Sequence, residues 1–394
     1  MHDGGGYVGM DRRMFLKAGL LGATSALVGR SAIADAAQQY LASSEPFVFP
    51  APVYRTLGRT GLKITVVSFG AMLTTEPEVM RIAFDHGINY VNTARIYMSG
   101  KNEEILGKAL KGNRDKVFVA TNVLPASTSK KDIVRDVEAS LKALETDYID
   151  LIQLQNVTDK ERIFIPETRE ALVELKKQGK VRYFGVTTHK NQAEMLNVLV
   201  DDRERFFDTA LVAYNFKSSD KELGEAIDRA AKAGIGILAM KTQAGGYSPE
   251  ALGSISPHQA ALKWVLQNPN ITAAIPSMKD LTQLKEDISV MGMPFRQADE
   301  NVLRRYSAAV QPHYCGFCGK CEESCPKGVE IGTINRSLMY AEGYRNRELA
   351  LSTYREIPSS VSASACLDCS ACVARCVNGL RIPAKMERAR NLLA

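Results

Sequence analysis

The stretch TREALVELKKQGKVRYFGVT, residues 168–187, contains the repeating unit that decides the fold. Its first half places apolar residues three and four positions apart and ends at Gly179, which predicts an amphipathic helix. Its second half, from Val181, is a short run rich in β-branched and aromatic residues, which predicts a strand. The stretch therefore predicts a helix that leads directly into a strand.

The same alternation continues through the central part of the chain, from residue 61 onward. The predicted strands are ITVVSFG (64–70), INYVN (88–92), VFVATN (117–122), YIDLIQLQ (148–155), VRYFGVT (181–187), TALVAYN (209–215), GIGILAM (234–240) and ITAAIP (271–276). Eight such units within roughly 230 residues indicate an α/β fold, a closed parallel (β/α)8 TIM barrel. A doubly wound open sheet is the alternative, but no glycine-rich loop follows the first strand. The preceding segment VYRTLGRTGLKIT predicts a small hairpin at the bottom of the barrel.

All eight cysteines lie in the last eighty residues, in two runs with the spacing C-x2-C-x2-C-x3-C. This spacing is typical of bacterial ferredoxins, in which the fourth cysteine of each run ligates the cluster of the other run. It predicts two [4Fe-4S] clusters, the first held by Cys315, Cys318, Cys321 and Cys376, the second by Cys366, Cys369, Cys372 and Cys325. A structural zinc site or a disulfide framework fits this spacing less well. Residues 327–362, between the runs, predict a mostly helical insert that could offer a surface to a partner.

The amino end predicts an export signal. Residues 11–17 read DRRMFLK, an apolar run follows over residues 18–28, and the small residues of SAIADAAQ come next. This order is typical of a twin-arginine signal, here residues 1–34, which carries folded proteins to the periplasm. The apolar run is much shorter than the roughly 20 residues of a spanning helix, so no membrane span is expected.

The net charge argues against nucleic acid as a partner. The formal charge is +6, and residues 1–34 contribute four basic and two acidic side chains, so removing them leaves +4. Two clusters with their thiolates would add roughly −4 when oxidised. The mature protein would then be near neutral, and no nucleic-acid motif is present.

From Tyr54 to its end the chain resembles an aldo-keto reductase of the subgroup with a C-terminal ferredoxin-like domain. The resemblance is carried by GINYVNTARIY (87–97), TDYIDLIQLQNV (146–157), ALVELKKQGKVRYFGVTTH (171–189) and AAIPSMKDLTQLKED (273–287). We therefore divide the chain into the signal, a linker (35–52), the barrel (53–300) and a mainly helical iron–sulfur domain (301–394).

The resemblance also places the catalytic tetrad, which in this family is an Asp, a Tyr, a Lys and a His. The tyrosine position is Tyr97, which is retained, while Asn92, Asn122 and Gln155 occupy the other three positions. A phenol titrates near 10 and is a poor acid–base group at neutral pH without a nearby cation. We expect Tyr97 to remain as proton donor, with the three amides in a hydrogen-bonded network beneath the pocket. Lys241, directly after the seventh strand, could partner Tyr97 from across the barrel.

The nucleotide site implied by the resemblance is altered. Thr187 and Thr188 stand where the family contacts the nicotinamide, and Lys241 lies at the same rim. In the segment that holds the adenosine phosphate, Ser277 and Lys279 are present, and Asp287 replaces an asparagine. An acidic residue facing adenine and the lack of an arginine fork argue against tight NADP binding. NADP is therefore kept only as the cofactor of an alternative function.

Three functions remain open at this point. The first is an exported iron–sulfur oxidoreductase that passes single electrons to or from a barrel-mouth site, acting on a small carbonyl or alcohol or on a redox partner protein. The second is a non-catalytic electron-transfer or scaffold subunit of a periplasmic complex. The third is an NADPH-dependent aldo-keto reductase that tolerates the substitutions.

Overall fold

A short antiparallel hairpin precedes the barrel, as predicted. The computed structural model describes residues 47–218, 220–247 and 256–394, so the predicted export signal and most of the predicted linker lie outside the described residues. Strand β1 (Tyr54–Thr56) pairs with β2 (Lys63–Thr65). Between them, Leu57 is fully buried and packs closely on Gly236. A Cβ added to Gly236 would lie only 2.6 Å from the side chain of Leu57. The hairpin thus closes the end of the barrel at which the strands begin.

The predicted β-runs supply eight parallel strands. In chain order they are β3 (Phe69–Gly70), β4 (Tyr90–Asn92), β5 (Phe118–Val123), β6 (Ile149–Leu154), β7 (Val181–Thr188), β8 (Thr209–Ala213), β9 (Gly236–Met240) and β10 (Ala273–Ala274), each paired with its neighbour. Backbone bonds from Ser68 N to Ala274 O (2.9 Å) and from Gly70 N to Pro276 O (2.9 Å) join the first strand to the last. These bonds close the sheet into a barrel.

The first predicted strand, residues 64–70, is divided between two sheets. Its start belongs to the hairpin strand β2, and only Phe69–Gly70 pairs with β4. The hydroxyl of Ser68 donates to the carbonyl of Thr65 (2.6 Å) where the chain passes from one sheet to the other. An apolar run indicates burial but does not tell which neighbour it pairs with, so the prediction of one continuous strand was wrong.

A helix follows each barrel strand. Within the described ranges, the outer helices are α1 (Pro77–Asp85), α2 (Lys101–Leu110), α3 (Lys130–Leu144), α4 (Pro166–Lys177), α5 (Gln192–Asp201), α6 (Lys221–Lys232), α7 (Pro257–Leu266) and α8 (Leu281–Ile288). Helices α1, α4 and α7 begin at proline, whose fixed φ and missing N–H suit the first helical position. Helix α3 is capped by Ser129, which accepts the N–H of Asp132.

The next helix, α9 (Gln297–Val310), runs through the domain boundary placed at residues 300 and 301. It packs on α7 of the barrel through Tyr306 and Val302, and Lys263 donates to Asp299 (3.0 Å). The region beyond it is mainly helical, with α10 (Lys320–Glu323), α11 (Ile331–Glu342), α12 (Arg347–Arg355) and α13 (Ile382–Leu393) around a separate apolar core. We call residues 311–394 the iron–sulfur module. None of the described helices is long and apolar enough to cross a membrane.

Candidate functional site

Helix α11 of the module lies over the mouth of the barrel, where the parallel strands end. Its residues Arg336 and Tyr340 line a cavity together with barrel residues Tyr97 and Lys241. The turn that follows α11 is in backbone contact with the loop after β9, because a Cβ added to Gly343 would overlap the carbonyl oxygen of Gly245. The insert between the cysteine runs was expected to offer a partner surface, and for α11 that expectation was wrong. One side of this helix packs in the module core and the other covers the barrel.

The cavity under α11 is small, about 70 Å3, and is lined by polar groups from both parts of the chain. Nζ of Lys241 donates to Oη of Tyr340 (3.0 Å) and lies 4.7 Å from the centre of the same ring. Lys241 has a φ of 57°, a left-handed conformation that costs a non-glycine residue roughly 1 kcal/mol or more. Strained residues of this kind are frequent at functional sites. Lys241 and Tyr97 line the same cavity, but the hydrogen-bond partner of the Lys241 ammonium is Tyr340.

The two tyrosines of this cavity differ in their electrostatic surroundings. Burial raises the pKa of Tyr97 to about 12, and Lys241 only partly opposes that rise. Burial also acts to raise the pKa of Tyr340, but the charges of Lys241 and Arg336 and the hydrogen bond from Lys241 outweigh it, so this pKa is lowered. The cation that Tyr97 would need is therefore used mainly by Tyr340.

His189 lines the same cavity and is uncharged at neutral pH. Burial, followed by the charges of Arg336 and Lys241, lowers its pKa well below the usual value. Its Nδ1 lies 3.0 Å from Oδ1 of Asn156, and its ring meets the edge of Phe317 at a centroid distance of 6.1 Å. His189 thus contacts the module on one side and the cavity on the other.

The three amides at the tetrad positions do not form the expected network. Nδ2 of Asn92 donates to Oε1 of Gln153 (2.7 Å), a β6 residue that the sequence reasoning did not consider. Within the described part of the chain, Oδ1 of Asn122 and Oε1 of Gln155 are buried without a hydrogen-bond partner. Gln155 lines the cavity beside Tyr97. The expected network was wrong because Gln153 of β6 accepts the hydrogen bond that the side-chain amide of Asn92 donates.

A larger cavity of about 290 Å3 lies next to the first and includes most of the residues predicted for nucleotide binding. Lys241, Ser277, Lys279 and Asp287 all line it, together with Tyr344 and Arg345 of the module. Thr187 and Thr188 are not brought into it. The hydroxyl of Thr187 accepts the N–H of Asn156 (2.8 Å), and that of Thr188 donates to the carbonyl of Lys190 (2.7 Å).

Asp287 does not carry the charge that the sequence argument gave it. Its side chain is 2% exposed and accepts a hydrogen bond from Nε2 of Gln243 (2.7 Å). Burial, and secondly the neighbouring Glu286, raise its pKa to about 8. At neutral pH the group is mostly protonated and resembles the asparagine it replaces. The expected repulsion of a nucleotide at this position is therefore absent.

This shifted pKa predicts a pH-dependent stability that Asp287→Asn should reduce. An unfolded aspartate titrates near 3.9, so between about pH 4 and pH 8 the folded chain binds more protons than the unfolded chain. The stabilisation that Asp287 contributes is fully present below about pH 4. It is lost as the pH rises toward 8, so the free energy of unfolding falls over this range. We expect urea midpoints measured from pH 5 to 8 to decline less steeply in Asp287→Asn. The exposed Asp115→Asn is the control, and equal slopes in wild type and Asp287→Asn would contradict the assignment.

The eight cysteines form two sets, and each set combines three cysteines of one run with the last of the other. Cys315, Cys318, Cys321 and Cys376 line one cavity. Cys366 lies near Cys369, Cys325 and Cys372, which after burial raise its pKa, while Arg390 opposes the rise. The ferredoxin spacing predicts the same two groups as cluster ligands, and that ligand assignment stays a prediction. We call them the first and the second cysteine set.

The loop around the first cysteine set curves tightly. Among the described residues, no three or more His, Cys, Asp or Glu side chains are close enough to hold one metal ion. The loop of the first set turns at Gly319, with a φ of 76°, and a Cβ on Gly316 would lie 3.1 Å from Asn378. The backbone thus curves closely around the space between these cysteines.

The first set lies against the barrel. Tyr314, next to Cys315, accepts a hydrogen bond from Nδ2 of Asn215 (3.1 Å), and Glu322 pairs with Lys190. The second set lies beside side chains that face solvent, since Leu367 is 70% exposed and Val373 is 54% exposed. One set therefore adjoins the barrel mouth and the other adjoins the surface.

Sequence reasoning missed Arg336, Tyr340, Tyr344 and Arg345, which the module contributes to the barrel cavities. One signal was available. Arg336 and Tyr340 are four positions apart in a predicted helix, so they share a face. The insert that carries them is also longer than a minimal ferredoxin requires.

Two family models match the chain. One, described as the aldo/keto reductase family, matches residues 74–248, and the other, described as a 4Fe-4S dicluster domain, matches residues 314–380. Among curated relatives, the uncharacterized oxidoreductase YrpG of Bacillus subtilis is 28% identical over 316 residues, which cover 64% of this chain and 94% of that protein. Aldo-keto reductase YhdN of the same organism is 36% identical over 155 residues, covering 34% of this chain and 46% of that protein. The chain spans about half the length of YhdN and of a further B. subtilis relative, the uncharacterized oxidoreductase YqkF (48%).

Solved structures agree with the barrel. Aldo-keto reductase AKR11C1 from Bacillus halodurans, in its holo form, is 25% identical with a TM-score of 0.55, and the match covers 64% of this chain and 96% of that chain. The aldo/keto reductase from Klebsiella pneumoniae in complex with NADP and acetate is 24% identical with a TM-score of 0.55, covering 64% and 95%. The chain therefore contains an aldo/keto reductase domain and a C-terminal 4Fe-4S dicluster domain, and its barrel has the aldo/keto reductase fold.

Proposed function

We propose that this protein is an exported iron–sulfur oxidoreductase in which electrons pass one at a time between two [4Fe-4S] clusters and a substrate at the barrel mouth. The observation that carries this proposal is the position of the module. Its first cysteine set adjoins the barrel through Tyr314 and Phe317, and its helix α11 lines the cavity that contains Tyr97.

The two cysteine sets are the proposed cluster ligands. When bound, such clusters supply one-electron transfer, with potentials set by hydrogen bonds, charge and exposure. The contact of His189 with Phe317 joins the first set to the cavity. The second set, beside the exposed Leu367 and Val373, faces the side from which a redox partner protein could approach. The arrangement suits electron entry at the surface and electron use at the barrel mouth.

The cavities suit a small carbonyl or alcohol as substrate. The larger one, about 290 Å3, is at the low end of the roughly 300–1,000 Å3 found for drug-sized ligands. Reduction of a carbonyl to an alcohol takes up two electrons and two protons. The electrons would come from a one-electron donor protein, the proton on oxygen from a phenol of the cavity, and the proton on carbon from solvent. Alcohol oxidation would run the same transfers in reverse to a one-electron acceptor.

NADPH-dependent reduction is the second candidate, because one feature of the larger cavity favours it. Lys279 and Arg345 line this cavity, and Asp287 is mostly uncharged at neutral pH. An anionic nucleotide would therefore meet three cations there, Lys241, Lys279 and Arg345, against one ionised carboxylate, Glu286. Two features argue against NADPH-dependent reduction. The hydroxyls of Thr187 and Thr188 are already hydrogen-bonded within the protein. Asn122 also occupies the position of the family's catalytic lysine.

One titration separates these candidates. The anaerobically matured holoprotein is titrated with NADPH, with NADH and with reduced methyl viologen, and the cluster absorbance and EPR signals are followed. We expect reduction by the viologen and no change with either nucleotide. Tight NADPH binding coupled to carbonyl reduction would overturn the proposal in favour of the second candidate. Reducible clusters without turnover of any carbonyl or alcohol would leave an electron-transfer or scaffold subunit.

Export through the twin-arginine route is part of the proposal and rests on residues 11–17. A protein loaded with iron–sulfur clusters has to be folded before it leaves the reducing cytoplasm, because an oxidising compartment would oxidise bare thiols. We expect the double variant Arg12→Lys and Arg13→Lys to retain the protein in the cytoplasm, measured by cell fractionation. Unchanged delivery to the periplasm would refute this route.

A further inference from the structure

We propose that Tyr340 of the iron–sulfur module and Lys241 of the barrel form the proton-transfer pair of the site. This rests on the proposed function and adds to it that the module supplies the acid–base group as well as the cluster ligands. Nζ of Lys241 donates to Oη of Tyr340 at 3.0 Å, and Tyr340 is only 5% exposed. Both residues line the cavity that also contains Tyr97 and Gln155.

The charges around Tyr340 favour its ionised form. Arg336, one turn earlier on the same helix, and Lys241 from the barrel both lower its pKa, while Glu356, which follows α12, opposes them. Four titratable groups that are mostly uncharged at neutral pH are near the pair or line the two cavities: Tyr97, Tyr344, His189 and Asp287. Two cations thus face the Tyr340 hydroxyl against one carboxylate. An acid–base group works best when its pKa approaches the working pH, so this tyrosine is the better suited of the two.

The pair replaces what the barrel has lost. Asn122 cannot supply a cation to Tyr97, whose pKa burial raises to about 12. Lys241 comes from the end of β9 instead, and its left-handed backbone is held in place by the surrounding loop, in which Ala244 N donates to the carbonyl of Lys241 (3.1 Å). Its ammonium is also 5.4 Å from the centre of the Tyr344 ring. A lysine and a tyrosine are therefore paired again, with the tyrosine supplied by another domain.

In the proposed step, one proton moves between the Tyr340 hydroxyl and the oxygen of the ligand. Oη–H of Tyr340 gives its proton to the oxygen of a carbonyl ligand as that oxygen gains negative charge. The phenolate that remains accepts the Nζ–H of Lys241 and lies in the field of Arg336. Solvent returns the proton afterwards. In alcohol oxidation the phenolate accepts the hydroxyl proton instead.

The first test does not depend on turnover. Tyrosinate formation in the holoprotein is followed by ultraviolet difference spectra during a pH titration, for wild type, Tyr340→Phe and Tyr97→Phe. We expect the component lost in Tyr340→Phe to titrate at lower pH than the component lost in Tyr97→Phe. Lys241→Met should move the Tyr340 component to higher pH. Equal titration of the two components, or no effect of Lys241→Met, would overturn the proposal.

The second test uses turnover with a one-electron donor and a small carbonyl. General acid–base groups contribute about 10²–10⁴-fold to the rate, so Tyr340→Phe should lower kcat by roughly that factor while KM and iron content stay the same. It should also remove the limb of the pH–rate profile that belongs to Tyr340. Tyr183→Phe, whose hydroxyl donates to Thr60 O (2.9 Å) at the far end of the barrel, is the matched control with activity retained.

The results separate failure of this inference from failure of the proposed function. If Tyr340 titrates at lower pH than Tyr97 but no substrate is turned over, the proposed function is refuted, and the catalytic role of the pair with it. Turnover that survives Tyr340→Phe with an unchanged pH profile would refute the inference alone and leave the contact as a structural link between domains. If the Tyr340→Phe variant loses its iron, the Lys241→Met variant still tests the inference. Tyr340 is intact in that variant, so the shift of its titration to higher pH can still be measured.

Discussion

Replacing Cys315 and Cys376 together with alanine should remove one cluster, whereas replacing Cys366 and Cys376 together should remove both. Cys315 and Cys376 line the same cavity although they are in different runs. Cys366 belongs to the other set, beside Cys325. The first double variant therefore damages one set and the second damages two. Iron analysis should fall from about eight per chain to about four in the first case and toward zero in the second.

This comparison is matched, because each variant removes two thiols and both share Cys376. If each run held its own cluster, the two results would be exchanged. The far-ultraviolet circular dichroism of both variants should retain the signal of the barrel, which has its own apolar core of residues such as Leu151 and Leu238. EPR of the reduced protein would report the surviving cluster in the Cys315 and Cys376 variant. Equal iron loss in the two variants would contradict the crossed assignment.

Gly343→Ala should separate α11 from the barrel mouth. A Cβ at this position would overlap the carbonyl oxygen of Gly245 and lie 2.9 Å from that of Met339. Both are backbone atoms, so the overlap cannot be relieved by rotating a side chain. We expect a loss of about 1–3 kcal/mol in the free energy of unfolding, typical of overpacking, and faster hydrogen exchange in α11. The contact between Lys241 and Tyr340 should weaken with it.

Gly224→Ala is the matched control for this variant. Gly224 lies within α6, and a Cβ there would meet nothing within 4 Å. Alanine is favoured over glycine in a helix by about 0.5–1 kcal/mol, so this variant should be slightly more stable than wild type. Urea denaturation of both variants measures the difference. If Gly343→Ala behaved like Gly224→Ala, the close backbone contact between module and barrel would be disproved.

The sequence predicted those features that depend on periodicity or fixed spacing. The alternation of β-branched runs and amphipathic helices predicted the eight barrel units. The cysteine spacing predicted a two-cluster domain, and a 4Fe-4S dicluster model matches residues 314–380. The spacing within each run is a local signal, so a single sequence is sufficient to read it. The crossed assignment of the two fourth cysteines is a long-range feature that rests on the ferredoxin pattern, and it stays a prediction.

Features that depend on docking between distant elements could not be predicted. Nothing in the pattern of α11 indicates which surface its second face covers, and so Tyr340 was not considered for the site. The pKa of Asp287 depends mainly on its burial, which only the folded chain brings about, and the adjacent Glu286 adds to the rise. The bond between Asn92 and Gln153 likewise depends on which side chains meet across the barrel. In each case the deciding surroundings are supplied by other elements of the folded chain.

The place of α11 has a consequence for biogenesis. This helix belongs to the core of the module and also forms part of the wall around Tyr97 and Lys241. Small metal-binding modules commonly fold only as they take up their metal. Cofactor loading would then complete the pocket as well as the electron path, so apoprotein would have an unfinished barrel mouth. Maturation of the module would therefore decide whether the wall around Tyr97 and Lys241 is complete.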